Sequence, residues 1–112
     1  MALRVADLTP AERLETSRRR GDETQEQAAS TYGVTLYRYI QWERGASDDG
    51  IPSPALKVLH DYEEIRILRR RMGLTLRAMA AKLSVSHQWL QMVENNQGVT
   101  DGLLDRIRAL AA

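Results

Sequence analysis

The sequence predicts an all-α protein made of two tandem copies of one small helical domain. Apolar residues recur at steps of three or four along most of the chain, and no segment keeps the period-two alternation of a half-buried strand. Serine and threonine stand before several of these helical stretches, where their hydroxyls can cap a helix. The chain also repeats itself at a constant offset of 51 residues, which indicates a duplication.

The first helix is expected from Pro10 to about Arg20. Thr9 supplies its N-cap, Pro10 suits the first helical position, and Glu12 stands three residues after the cap. Gly21 is expected to end it.

Two short helices follow, separated by a turn at Gly33. One opens at Thr24, with Gln27 placed to complete a capping box, and continues to about residue 31. The other runs from its cap at Thr35 to about Arg44, and residues 45–53 form the clearest loop of the chain.

A single long helix is predicted from Pro54 to about Met72, because apolar residues keep helical spacing there and no glycine interrupts them before Gly73. This helix would bridge an N-terminal domain, residues 1–56, and a C-terminal domain, residues 57–112.

The C-terminal copy is predicted to contain three further helices. They open at the caps Thr75, Ser86 and Thr100 and end at about Leu83, at about Asn95 and at the C-terminus. The last one carries an apolar stripe that closes either a local core or a dimer: Leu103, Leu104, Ile107 and Leu110.

The repeat is supported by seven identities between residues 14–45 and 65–96, together with coinciding caps and apolar positions. The inward-facing residues are expected to be Ala28, Tyr32, Val34, Tyr39 and Trp42 in the first copy and Met79, Leu83, Val85, Leu90 and Val93 in the second, with Ala29 and Ala80 at the closest approach of the two short helices. Glu43 is expected to be structural, paired with an arginine of the first helix.

Composition excludes several classes of protein. The 112 residues are 43% hydrophobic and 28% charged, with no cysteine and no apolar run near the ~18 residues that a membrane span needs. No signal peptide is visible, so a cytoplasmic protein without membrane contact is expected. No phosphate-binding glycine loop, nucleophile setting or metal-ligand cluster is present, so we expect no enzyme, no cofactor and no metal site.

The segment TQEQAASTYGVTLYRYIQWERG, residues 24–45, resembles the helix-turn-helix of the lambda-repressor-like (Cro and XRE) DNA-binding regulators. The likeness lies in the Thr24-Gln25 start, in Ala29 four residues after that glutamine, in the Gly-Val-Thr turn and in the Trp-Glu-x-Gly end. The segment LTLRAMAAKLSVSHQWLQMVENNQ, residues 74–97, is similar but has Leu76 for the glutamine, Ser84 for the turn glycine and Val93 for the tryptophan.

The resemblance implies that the second helix of each motif enters the major groove of double-stranded DNA. The residues that would then face bases are Leu36, Tyr37, Gln41, His87, Gln88 and Met92. Those that would contact phosphates are Gln25, Arg38, Arg44, Arg69, Arg70 and Arg71, although the arginine triplets at residues 18–20 and 69–71 also suit solvated helix ends.

The expected function is therefore sequence-specific transcriptional regulation, as a bacterial or phage repressor. The alternative is a protein-interaction module, an antiactivator or accessory factor, that keeps the helix-turn-helix fold but binds a protein partner. Three features favour this alternative: the near-neutral net charge of +1, the outer residues of the predicted third helix and those of its counterpart in the second copy, namely Leu36, Tyr37 and Ile40 and His87, Trp89 and Met92. A homodimer, and the use of one motif or both for DNA, stay open.

Overall fold

The chain is all-helical in its computed structural model, which describes residues 2–98, 100 and 102–112. Within these residues there is no β-strand, so the predicted all-α class is confirmed. In the described part of the chain, a 3-10 turn at Val5–Asp7 precedes seven α-helices: α1 Pro10–Arg20, α2 Gln25–Thr31, α3 Leu36–Glu43, α4 Asp61–Arg71, α5 Leu76–Leu83, α6 His87–Glu94 and α7 Leu103–Ala111.

Five of the helices begin where their capping residues predicted. At α1 the Glu12 amide donates to the Thr9 hydroxyl over 3.1 Å, and the Thr9 amide donates to the Glu12 carboxylate over 2.9 Å. Thr24 and Gln27 make the same reciprocal pair at α2. The caps of α3, α5 and α6 accept from the amide three residues further on, as Thr35, Thr75 and Ser86.

The predicted helix from Pro54 to Met72 is wrong in its first part. Residues 51–60 have no regular secondary structure, and α4 begins only at Asp61. A helix through this segment would use the Val58 carbonyl for the Tyr62 amide, but that carbonyl accepts from Arg20 instead. Acidic residues then fill the first turn of α4, where they suit the helix dipole, and the amide of His60 donates to the Glu63 carboxylate over 2.9 Å.

The start of α7 also differs from the prediction. Its N-cap is Gly102, with a φ of +68°, and the Thr100 carbonyl accepts a hydrogen bond from the Leu103 amide. Thr100 therefore lies two residues before the cap rather than at it.

The chain divides into two compact units, which we call the N-terminal unit, Arg4–Val58, and the C-terminal unit, Leu59–Ala112 together with the start of the chain. The core of the N-terminal unit is small and aromatic: Leu14, Ala28, Ala29, Tyr39 and Trp42, with Val34 and Ile51 packed against it. The indole of Trp42 donates to the Asp49 carbonyl over 3.0 Å, and Arg20 donates to the Val58 carbonyl, so the irregular segment after α3 is tied to this unit.

The C-terminal unit has a larger, aliphatic core, to which α7 contributes. Its buried residues include Ile65, Met79, Leu90 and Val93, and Trp89 packs at its edge. Three members of the apolar stripe of α7 are buried in this core, so the prediction of a local core is confirmed for Leu103, Leu104 and Ile107. Leu110 is 43% exposed.

The repeat predicted from the sequence recurs in the backbone. The helices α4, α5 and α6 each begin 51 residues after α1, α2 and α3. Backbone hydrogen bonds recur at the same offset, for instance from Val34 to the Ala29 carbonyl and from Val85 to the Ala80 carbonyl, both 3.0 Å. The fourth helix, α7, has no counterpart, because the equivalent residues 52–60 are irregular.

Candidate nucleic-acid interface

A tight turn fixes how the second helix of each pair leaves the first. Its left-handed residue is Gly33 in the N-terminal unit, with a φ of +68°, and Ser84 in the C-terminal unit, with a φ of +57°. A Cβ at Gly33 would meet no atom within 4 Å. The backbone conformation, and not crowding, is therefore what favours glycine there.

A buried ion pair holds the far end of each second helix. In the N-terminal unit the guanidinium of Arg18 donates to the Glu43 carboxylate over 2.6 and 3.1 Å, and to the Glu23 carbonyl over 2.9 Å. Burial opposes the charge of Arg18, but the hydrogen bond and charge of Glu43 outweigh it and raise the pKa of Arg18. The expected structural role of Glu43 is thus confirmed.

Arg69 and Glu94 repeat this ion pair in the C-terminal unit, with distances of 2.7 and 3.0 Å. Arg69 also donates to the Leu74 carbonyl and is only 7% exposed. A side chain this buried, with its donors in use, is unsuited to contact a phosphate, so its burial argues against the role that the sequence suggested. Arg70 and Arg71, by contrast, are exposed.

The outer face of α3 is apolar where it is most exposed. Tyr37 is 74% exposed and Leu36 is 42% exposed, while Ile40 and Gln41 are half-buried. Among the predicted base-facing residues of the N-terminal unit, only Gln41 therefore carries an amide that could pair with a base edge.

The predicted phosphate-contacting residues of the N-terminal unit are largely held by contacts within that unit. The amide of Gln25 donates to the Glu43 carboxylate over 3.1 Å. Arg38 donates to the Asp49 carbonyl over 3.0 Å, and its guanidinium carbon lies 5.5 Å from the centre of the Trp42 ring. Arg44 is exposed.

The outer face of α6 is more polar than that of α3. Gln88 and Gln91 are exposed, His87 is half-buried, and Met92 is 46% exposed. Trp89, which stands where α3 has Arg38, is half-buried and packs against the core.

Sequence reasoning missed two exposed cations of the C-terminal unit, Arg77 and Lys82, both on α5. Aligning the two copies could have identified them, because the equivalent residues of α2 are Glu26 and Thr31, neither of which is positively charged. The change of charge between the two copies thus marks a surface that differs between otherwise matching helices.

No family model matches this chain, and neither the curated proteins nor the solved structures contain a significant match to it. Over the residues that the structure describes, none of the helices has both the length and the apolar character needed to cross a membrane.

Proposed function

We propose that the protein is a sequence-specific DNA-binding transcriptional regulator with two tandem lambda-repressor-like helix-turn-helix domains. The observation that supports it best is the recurrence, 51 residues apart, of two helices joined by a tight turn whose second member exposes its outer face. The ion pairs Arg18–Glu43 and Arg69–Glu94 and the buried cores lie behind this face and hold it rigidly.

In this proposal α6, and α3 if both units are used, lies in the major groove of duplex DNA. An exposed amide such as that of Gln88 reads a base edge, because a glutamine can pair bidentately with adenine. Exposed arginines and lysines contact phosphates, which supplies affinity without sequence preference and makes binding weaken as salt rises. Repression would follow if the bound site overlaps a promoter.

The proposal is tested by selecting bound sequences from a random duplex pool and titrating the recovered duplex against a scrambled one. Gln88→Ala and Gln41→Ala are then compared with the unchanged protein on both duplexes. If a glutamine reads a base, its replacement by alanine should lower the affinity for the selected duplex by about five-fold to 150-fold. The affinity for the scrambled duplex should stay nearly the same. If no duplex of any sequence binds at low salt, DNA binding is refuted.

A second candidate function is a protein-interaction module, favoured by the exposure of Leu36 and Tyr37 on one helix. An aromatic residue that is 74% exposed beside another apolar side chain suits the centre of a protein interface. Under this alternative, the unchanged protein binds no duplex but does bind its partner protein. Tyr37→Ser abolishes that binding to the partner. Sedimentation of the unchanged protein and of Tyr37→Ser tests whether that partner is a second copy of the chain.

A further inference from the structure

We infer that the two units divide their work, and that the C-terminal unit is the one that contacts DNA although the N-terminal unit has the more complete sequence motif. This inference rests on the proposed function. It assigns the phosphate and base contacts to Arg77, Lys82, His87, Gln88 and Gln91 of the C-terminal unit, and it leaves the outer face of α3 out of the DNA complex.

Charge separates the two helix pairs. In each pair of helices, the second helix ends in a glutamate whose charge is neutralised by a buried arginine. Glu43 is bound to Arg18, and Glu94 is bound to Arg69. The remaining charges of α2 and α3 are one glutamate and one arginine, Glu26 and Arg38, which cancel. Those of α5 and α6 are Arg77 and Lys82, both positive and exposed, so this pair has the larger net positive charge even when Arg44, the exposed C-cap of α3, is counted with the other pair.

The loop after α3 adds to the difference. It contains Asp48 and Asp49, and the Asp49 side chain is 92% exposed and 3.9 Å from the Arg38 guanidinium. The one exposed cation of α3 is therefore partly screened by a carboxylate that would itself repel a phosphate backbone. Arg38 also donates to the Asp49 carbonyl and lies over the Trp42 ring, so part of its hydrogen-bonding capacity is already used within the unit.

The outward side chains also favour α6 over α3 as the helix that contacts DNA. At three equivalent positions of the repeat, α3 carries Leu36, Tyr37 and Ile40 and α6 carries His87, Gln88 and Gln91; at a fourth the order is reversed, with Gln41 in α3 and the exposed Met92 in α6. The amides of α6 offer both donors and acceptors to base edges, whereas Leu36 and Ile40 of α3 can contact only the methyl group of thymine and Tyr37 offers a single hydroxyl. Among the outer residues of α3 the amide of Gln41 is half-buried, so the base-reading chemistry is concentrated in α6.

Two matched double variants of the full chain test the inference on the duplex selected from a random pool. In the C-terminal unit, Arg77→Ala with Gln88→Ala removes one exposed arginine and one outward residue of α6. In the N-terminal unit, Arg44→Ala with Tyr37→Ala removes one exposed arginine and the residue of α3 that is equivalent to Gln88. Circular dichroism confirms that both variants stay folded, which their exposed positions favour.

The expected result is that the C-terminal variant loses at least tenfold in affinity for the selected duplex, and that its log–log salt slope becomes shallower by about 0.9 for the lost phosphate contact. The N-terminal variant should stay within about twofold of the unchanged protein, with the same slope. Equal losses in both variants, or a loss only in the N-terminal one, overturn the division of work but leave DNA binding intact. If the unchanged protein binds no duplex, the proposed function itself fails, and the inference fails with it.

Discussion

Replacing Arg69 with alanine separates a structural role from a DNA-contacting one. The Arg69 side chain is 8% exposed, and its Nε and Nη2 atoms lie 2.7 and 3.0 Å from the two carboxylate oxygens of Glu94. A third donor, Nη1, reaches the Leu74 carbonyl over 2.9 Å, at the turn between α4 and α5. The substitution therefore removes three hydrogen bonds and leaves a carboxylate whose side chain is 2% exposed.

The loss of stability in Arg69→Ala depends on the Glu94 carboxylate, which stays buried after its partner is removed. Removing one member of a buried ion pair costs about 3–5 kcal/mol, because the other charge stays away from water without a partner. Arg66 lies 3.7 Å from the same carboxylate and is 20% exposed, so part of the compensation survives and we expect about 3 kcal/mol. The C-terminal unit has 54 residues from Leu59 to Ala112, for which roughly 3–8 kcal/mol of total stability is typical. The variant should therefore keep roughly 0–5 kcal/mol in this unit and unfold at a clearly lower urea concentration.

The measurement is a urea titration followed by the indole N–H signal of Trp89, the tryptophan that packs at the C-terminal core. Arg70→Ala is the matched control, because Arg70 is the next residue of the helix but is exposed, and it should change the free energy of unfolding by less than about 1 kcal/mol. The reasoning is refuted if Arg69→Ala unfolds at the same urea concentration as the unchanged protein. A reduced salt slope of duplex binding in that folded variant would then restore the phosphate role for Arg69.

Two further predictions concern the turn and the N-terminal core. Ser84→Gly should raise the unfolding temperature by a few degrees, and Gly33→Ser should lower it. A left-handed backbone conformation costs a residue other than glycine about 1–2 kcal/mol, partly offset by the larger entropy of glycine in the unfolded chain. Calorimetry checks this, and shifts of the same sign in both variants would contradict it. Burial, and to a lesser extent the nearby Glu43, raise the pKa of the Tyr39 phenol, whose hydroxyl has no hydrogen-bond partner among the described residues. The folded pKa lies above the unfolded value of about 10, so the stability due to the neutral phenol is complete below pH 10 and is lost above it by about 1.4 kcal/mol per pH unit. Tyr39→Phe should remove this alkaline loss in urea titrations between pH 8 and 11, and an unchanged slope would show that Tyr39 ionises freely in the folded state.

The helix starts could be predicted because capping is local. Thr9 and Thr24 each interact with a side chain three residues away, so the pattern in the sequence is already the contact in the structure. The start of α4 was missed because apolar spacing continues upstream into a segment that is irregular. The repeat contained the correction, since Thr9 and Pro10 map by the offset of 51 onto His60 and Asp61, the cap and first residue of α4.

The candidate interface was less predictable, because exposure depends on contacts between residues far apart in the sequence. Arg69 stands in a run of three arginines, and nothing in that run distinguishes the one that turns inward. Its partner is 25 residues away, as is the partner of Arg18. In the sequence, the two ion pairs therefore left only one trace: both of their positions are identical in the two copies, Arg18 with Arg69 and Glu43 with Glu94.

Those identities lead to a more general argument about where function lies in this chain. Among the seven residues that are the same in both copies, Ala29 and Ala80 are buried at the helix approach, and Glu43 and Glu94 are buried in ion pairs. These residues maintain the shared fold, and a property that both copies share cannot tell which copy binds DNA. The outward positions of α3 and α6 share no identity. The most exposed residues of α3 are Leu36, Tyr37 and Arg38, whereas those of α6 are Gln88, Gln91 and Met92. The two copies thus keep the ion pair and the close helix approach, while the outward side chains of α3 and α6 differ. This is expected when two copies contact different molecules, and for that reason the better-preserved motif need not be the one that reads DNA.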